Sequence, residues 1–293
     1  MPKIPQTDKS PGLVTTAEFG RRAHRAEDHY LGHLVRVLGH AQVCAPPRRF
    51  LVTYTALRAL KHVIEPDTPA KRVEVPEKGS SVSGVPYRRM RDAEFRRSQE
   101  AGVHLSHIAP VNELVDTLRT EGRGWVPYVA PLYGGVNAEL LSVLRDPGPM
   151  TNAEEKGSGF LCLENDDAAA ERFATLLAEA GIAASRMIPW NAYPWYINRK
   201  PNAAEQKAGL EPLRRLLGLL PCLRVVMLNG GDAQALWRRF AADHPALAEQ
   251  YHVLPTYHTS RQAFIGTREV REARLAHLRT NFAAAARLLD GRT

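Results

Sequence analysis

Leu140-Leu141-Ser142-Val143-Leu144-Arg145-Asp146-Pro147-Gly148 is the stretch whose reading decides the fold: a short apolar run that stops abruptly at a charged, breaker-rich turn. Two further stretches repeat the pattern. Met187 to Trp190 runs into Asn191-Ala192-Tyr193-Pro194, and Val253 to Tyr257 runs into His258-Thr259-Ser260. Short apolar runs bounded by turn residues read as buried strands. In an open α/β sheet, ligands bind beyond the carboxyl ends of parallel strands, so this reading brings an acid, an amide and an imidazole to one cleft.

Working outward, the chain alternates from about His107 onward. Helices are expected over Val111–Thr120, Ala168–Glu179, Ala203–Leu217, Asp232–Ala242 and Arg268–Leu289, with strands near Glu139–Leu144, Arg186–Trp190, Arg224–Leu228 and His252–Tyr257. Strands alternating with helices of this length imply right-handed crossovers. The expectation is a three-layer α/β/α domain, residues 107–293, around a mostly parallel four-stranded sheet. Residues 1–106 form a partly helical basic extension of unknown role, with a helix over Phe19–Gln42, a segment of uncertain type over Arg49–Ile64, and an exposed loop or linker from Pro66 to Gly84.

The charge is uneven. Residues 1–107 hold 18 Lys and Arg against 11 Asp and Glu, whereas the remainder holds 21 against 20, so almost all of the net +8 lies in the first third. That excess favours a polyanionic partner, although basicity alone also fits a protein with no such role. Tyr87-Arg88-Arg89-Met90-Arg91 through Arg97 reads either as a solvated helix face or as a phosphate-contacting surface.

No apolar stretch approaches the roughly 20 residues of a membrane span, and the N-terminus lacks a signal-peptide run, so a cytoplasmic location is expected. The 3 cysteines, Cys44, Cys162 and Cys222, are too few for an all-thiolate zinc site or a usual iron-sulfur cluster. His24, His29, His33 and His40 have helix-compatible spacings but lack an evident further ligand, so no metal is implied. Gly230-Gly231 before a helix offers free backbone N–H groups to a phosphate, yet without a fuller glycine pattern it reads as a strand-to-helix turn.

Together the motifs resemble the uracil-DNA glycosylase superfamily, from about His107 to the end: an Asp-Pro turn after the first strand, Asn191-Ala192-Tyr193-Pro194, a spacer Arg199-Lys200-Pro201-Asn202, Arg224 through Leu236, and a His turn after the last strand. The resemblance implies base-excision repair by hydrolysis of an N-glycosidic bond on DNA carrying a damaged base, uracil foremost, with no diffusible cofactor. Asp146 then stands where the aspartate orients water and faces the sugar cation, and His258 where a histidine hydrogen-bonds the leaving base. Phe160 stands where an aromatic stacks on the flipped base, and Gly148 where the best-known branch carries a tyrosine that excludes thymine. Ser260 belongs to the His turn, and Arg261 follows it, placed to fill the gap of an extruded base, to touch phosphate, or simply to face water.

Independently of the resemblance, a carboxamide at Asn191 offers a donor beside an acceptor, which matches the edge of uracil and mismatches cytosine; capping the strand end is its alternative role. Phe160 equally reads as a core residue. Leu144, Arg145 and Thr259 also depart from the family pattern, at positions where the best-known branch has Gly, Gln and Pro. Arg145 and Thr259 keep open a non-catalytic protein of the same fold that binds nucleic acid through its basic N-terminal region. Gly148 keeps open a glycosylase for hypoxanthine or xanthine.

Overall fold

A computed structural model describes residues 87–291. The expected helix over Phe19–Gln42, the segment over Arg49–Ile64, the linker and the four N-terminal histidines lie outside the described residues.

Four strands, β2 (Leu140–Leu144), β4 (Met187–Asn191), β5 (Val225–Asn229) and β6 (His252–Thr256), form one sheet in the order β4-β2-β5-β6, parallel throughout. β2, β4 and β5 are buried on both faces, which is why they read as unbroken apolar runs; β6, at the sheet edge, is more exposed. Two shorter strands, β1 (Tyr128–Val129) and β3 (Phe160–Leu161), pair with each other in parallel and were not anticipated. At two residues each they are too short to show a period.

The chain leaves β2 toward β4 on one side and later runs from β5 to β6 on the other. Right-handed crossovers then put the connecting helices on opposite faces. α3 (Ala168–Glu179) and α8 (Arg268–Leu289) pack together through Phe173 and Phe282, whose rings meet edge to face at 5.2 Å. α2 (Ala109–Thr120), α5 (Leu210–Leu217) and α6 (Gly231–Asp243) belong to the other layer, and α7 (Pro245–Ala248) follows α6. The three-layer α/β/α architecture is as expected.

Local chemistry sets the helix ends. Asp167 caps α3 by accepting from the N–H groups of Ala169 and Ala170, each at 2.8 Å, and Thr267 caps α8. The single helix expected over Ala203–Leu217 is two, α4 (Ala203–Ala208) and α5, with Gly209 between them. A Cβ at Gly209 would lie 1.8 Å from the carbonyl oxygen of Ala192, so only glycine lets this junction press onto the residue after Asn191.

Residues 87–106, assigned from sequence to the extension, pack onto this domain. Met90 is buried, and its N–H donates to the carbonyl of Glu164 at 3.0 Å. Arg88 pairs with Asp166 and Glu171, Arg89 with Glu164, and Arg91 with Asp166. These arginines of the basic run, which precede α1 (Ala93–Ala101), are therefore held by an acidic patch of the domain itself. Among the described residues no helix is long and apolar enough to cross a membrane.

Candidate active site

The strand order places the switch point beside β2, and a cavity of about 570 Å³ opens there at the carboxyl ends of the strands. Asp146, Gly148, Asn191, His258 and Ser260 all line it, so the fold brings together five of the seven residues singled out from sequence. Phe160 and Arg261 are not among its lining residues. Phe160 lies in β3 with its ring 6.4 Å from that of Tyr128 and is 3% exposed, which suits the core role; Tyr133, Leu161 and Leu163 supply the apolar wall instead. Arg261 is exposed and starts a 3-10 turn, Arg261–Phe264.

Asp146 lies two residues beyond the end of β2, and its side chain is 3% exposed. Burial pushes its carboxyl above the usual 3.8, and the neighbouring Arg145 guanidinium, which donates to Oδ1, offsets this only in part. Oδ2 is buried with no hydrogen-bond partner. A buried unpartnered carboxylate oxygen costs roughly 1–3 kcal/mol or more, a penalty tolerated where a ligand repays it.

Asn191 ends β4, in register with Leu144 of β2, and is 2% exposed. The next two residues are stapled to the β2 turn, Ala192 N–H to the Leu144 carbonyl at 2.7 Å and Tyr193 N–H to the Arg145 carbonyl at 2.9 Å. Its backbone is thus fixed by others while its own Nδ2 is buried without an acceptor.

His258 follows β6. The N–H of Ser260 donates to its Nδ1 at 2.9 Å, so the ring proton sits on Nε2 and Nε2 is the donor. Burial, reinforced by the Arg145 charge, lowers its pKa to about 4 despite the opposing pull of Asp232. The imidazole is neutral at physiological pH. Thr259, which stands where the best-known branch has a proline, is 1% exposed, and its carbonyl accepts from Arg172 of α3. A tertiary anchor does here what a proline ring does through φ.

Gly148 faces open space: nothing lies within 4 Å of where its Cβ would be. Gly230 and Gly231, read from sequence as a strand-to-helix turn, line the cavity, and so do Asn229 and Asp232, to which the sequence reading gave no role. The strand-end position of Asn229 in Leu228-Asn229-Gly230 was the available signal, the same one that marked Asn191. Among the described residues, no group of His, Cys, Asp and Glu is placed to hold a metal ion. Cys162 borders the cavity, and burial pushes its thiol up to about 12, which keeps it protonated at neutral pH.

Chemically, the arrangement offers a carboxylate oxygen, an amide donor and a neutral imidazole donor around a space large enough for a nucleobase and its sugar. No curated protein matches the chain. The family model described as the Uracil DNA glycosylase superfamily matches residues 131–279, a span that contains β2 through β6 and every cavity residue named here. The chain belongs to the uracil DNA glycosylase superfamily.

Proposed function

We propose that this protein is a DNA glycosylase that draws a damaged base, uracil foremost, into the cavity and hydrolyses its N-glycosidic bond. The observation that carries this reading is the convergence of Asp146 Oδ2 and Asn191 Nδ2, both buried and unpartnered, with a neutral His258 on one cavity. In the reaction the bond from C1′ to the base nitrogen breaks and its electron pair leaves with the base. Water then bonds to C1′ and gives up a proton, and the base is released protonated. Asp146 serves the first half, because a carboxylate near C1′ stabilises the sugar cation and orients the water. His258 serves the same bond-breaking half from the side of the base, donating from Nε2 to a base carbonyl as negative charge builds there. Neutrality suits that role: the imidazole gives a hydrogen bond without drawing substrate into an ion pair. Asn191 reads the base edge.

Two observations favour variants of this reading. The Arg145 guanidinium ties up Asp146 Oδ1, which favours a slow or non-catalytic binder of damaged DNA. The open space at Gly148 favours a larger base such as hypoxanthine or xanthine. One assay separates all three: the purified protein is incubated with single- and double-stranded oligonucleotides carrying uracil, hypoxanthine or xanthine, and abasic sites are scored by alkaline cleavage. Uracil release supports the leading form. Release of a purine alone moves the specificity, and tight binding without any release leaves only the binder.

A further inference from the structure

Six buried side-chain atoms among the described residues lack a hydrogen-bond partner: Arg89 Nε, Asp146 Oδ2, Trp190 Nε1, Asn191 Nδ2, Asn229 Oδ1 and Thr256 Oγ1. Of the residues that carry them, Arg89, Trp190 and Thr256 do not line the cavity, whereas Asp146, Asn191 and Asn229 do. The first two have a role in the proposed reaction. Asn229 does not.

Its side chain is held on one side only. Asn229 ends β5 and is 1% exposed. Nδ2 donates to Ser142 Oγ at 3.0 Å, to the Val143 carbonyl at 3.1 Å and to the Met227 carbonyl at 3.3 Å. Two of these partners are carbonyls, which only accept, so turning the amide over would set Oδ1 against them; chemistry fixes which atom is nitrogen. The oxygen is thereby locked in place with nothing donating to it. A buried acceptor of this kind costs about 1–3 kcal/mol unless a donor arrives.

Position supplies the rest. β4 and β5 flank β2, with Asn191 opposite Leu144 and Leu228 opposite Val143, so Asn229 follows at the same level. The two asparagines stand on either side of Leu144, with Cα atoms about 10 Å apart from two interstrand spacings. In-register residues of adjacent strands share a face. One amide therefore brings an unpartnered donor, and the other an unpartnered acceptor, to a single wall.

We propose that Asn229 is a second base-reading residue, whose fixed Oδ1 accepts a hydrogen bond from an N–H of the bound base. This rests on the glycosylase reading above and narrows it: the cavity selects bases that carry an N–H donor in addition to the carbonyl that Asn191 Nδ2 requires. Imide and lactam bases, which deamination produces, have both groups. A base with its ring nitrogens alkylated does not.

The test compares Asn229→Ala with Asn229→Asp, because Asp keeps the acceptor oxygen but loses the donating nitrogen. If Asn229 serves only to tie β5 to β2 through Nδ2, Asp is no better than Ala. If it reads the base, Ala loses at least about tenfold in kcat/KM for base release, roughly 1.4 kcal/mol of transition-state binding, and Asp recovers part of the loss. Affinity for DNA that already carries an abasic site, where no base remains to be read, stays within about twofold in both variants. Wild-type-like release by a folded Ala variant would overturn the proposal, as would equal losses on base-containing and abasic DNA. Should neither variant fold, the wild type decides by thermal shift: stabilisation by free uracil but not by 1,3-dimethyluracil is expected, and equal stabilisation by both overturns the idea. A wild type that releases no base refutes the catalytic reading alone, since selective binding of free bases still tests Asn229.

Discussion

His258 keeps its proton on Nε2 because the N–H of Ser260 occupies Nδ1, and it stays neutral because burial and Arg145 lower its pKa to about 4. Two outcomes follow at the scale of this residue. Base release should show no inflection at the ordinary histidine value of 6.5 from His258, whose own protonation sets in only toward pH 4; the fall at acid pH comes as His258 and Asp146 take up protons. In an unfolded chain the imidazole protonates near 6.5 and in the folded one near 4, so stability is fully present above 6.5 and is lost as pH falls toward 4. Asp146, whose carboxyl titrates above its usual 3.8, works in the opposite sense, because the folded protein holds that proton longer than the unfolded chain does. Melting curves of His258→Ala should thus lose less between pH 6.5 and pH 4 than those of the wild type. Its rate of base release at pH 7 should drop by about 10²-fold or more, with DNA affinity changed far less. Asp146→Asn should likewise bind DNA and lose most base release, since the amide preserves shape but not the anion facing the sugar. Full activity in that variant would remove Asp146 from the chemistry.

At the scale of elements, the junction between α4 and α5 presses on the residue that follows β4. The predicted effect of Gly209→Ala is large. With the Ala192 carbonyl 1.8 Å from the new Cβ, backbone must move, and Asn191 is the adjacent residue. A loss of about 1–3 kcal/mol in stability is expected, together with a fall in kcat/KM for the fraction that remains folded; a variant as stable and active as the parent would show that the junction does not position Asn191. This contact illustrates what the sequence discloses and what it withholds. The four strands of the main sheet and the limits of α3 and α8 were legible, because apolar runs, N-caps and turn breakers are local signals. The split at Gly209 was not, because the reason for glycine lies in Ala192, 17 residues earlier. Asp146, Asn191 and His258 were legible as polar residues at strand ends. Asn229 met the same criterion and was passed over, since only the bonding of its Nδ2 reveals that its oxygen is left without a donor. Phe160 sits where its neighbours Leu161 and Leu163, rather than itself, border the cavity, and no sequence period distinguishes these in a strand of two residues.

At the scale of the whole molecule, the question is where attraction for DNA resides. Residues 108–293 carry 21 Lys and Arg against 20 Asp and Glu, nearly neutral, so they supply little long-range pull on a polyanion. Residues 1–86 carry 13 against 8, a net +5. Between them, Arg88, Arg89 and Arg91 are paired with Asp166, Glu164 and Glu171, which offsets their charge locally. Two truncations should therefore behave differently. A chain starting at Tyr87 keeps Met90 buried and the ion pairs intact; it should melt near the parent's temperature, retain base release at saturating substrate, and bind DNA more weakly at low salt, with a shallower dependence of log Kd on log salt. A chain starting at His107 uncovers the site where Met90 packs, worth about 2 kcal/mol from its apolar area alone, and leaves the carboxylate of Glu164 buried without its arginine. It should melt well below the other and lose activity by unfolding rather than by weaker binding. Equal melting temperatures for the two would show that residues 87–106 contribute nothing to the fold, and equal salt slopes for the full chain and the first truncation would show that the N-terminal charge does not meet the DNA.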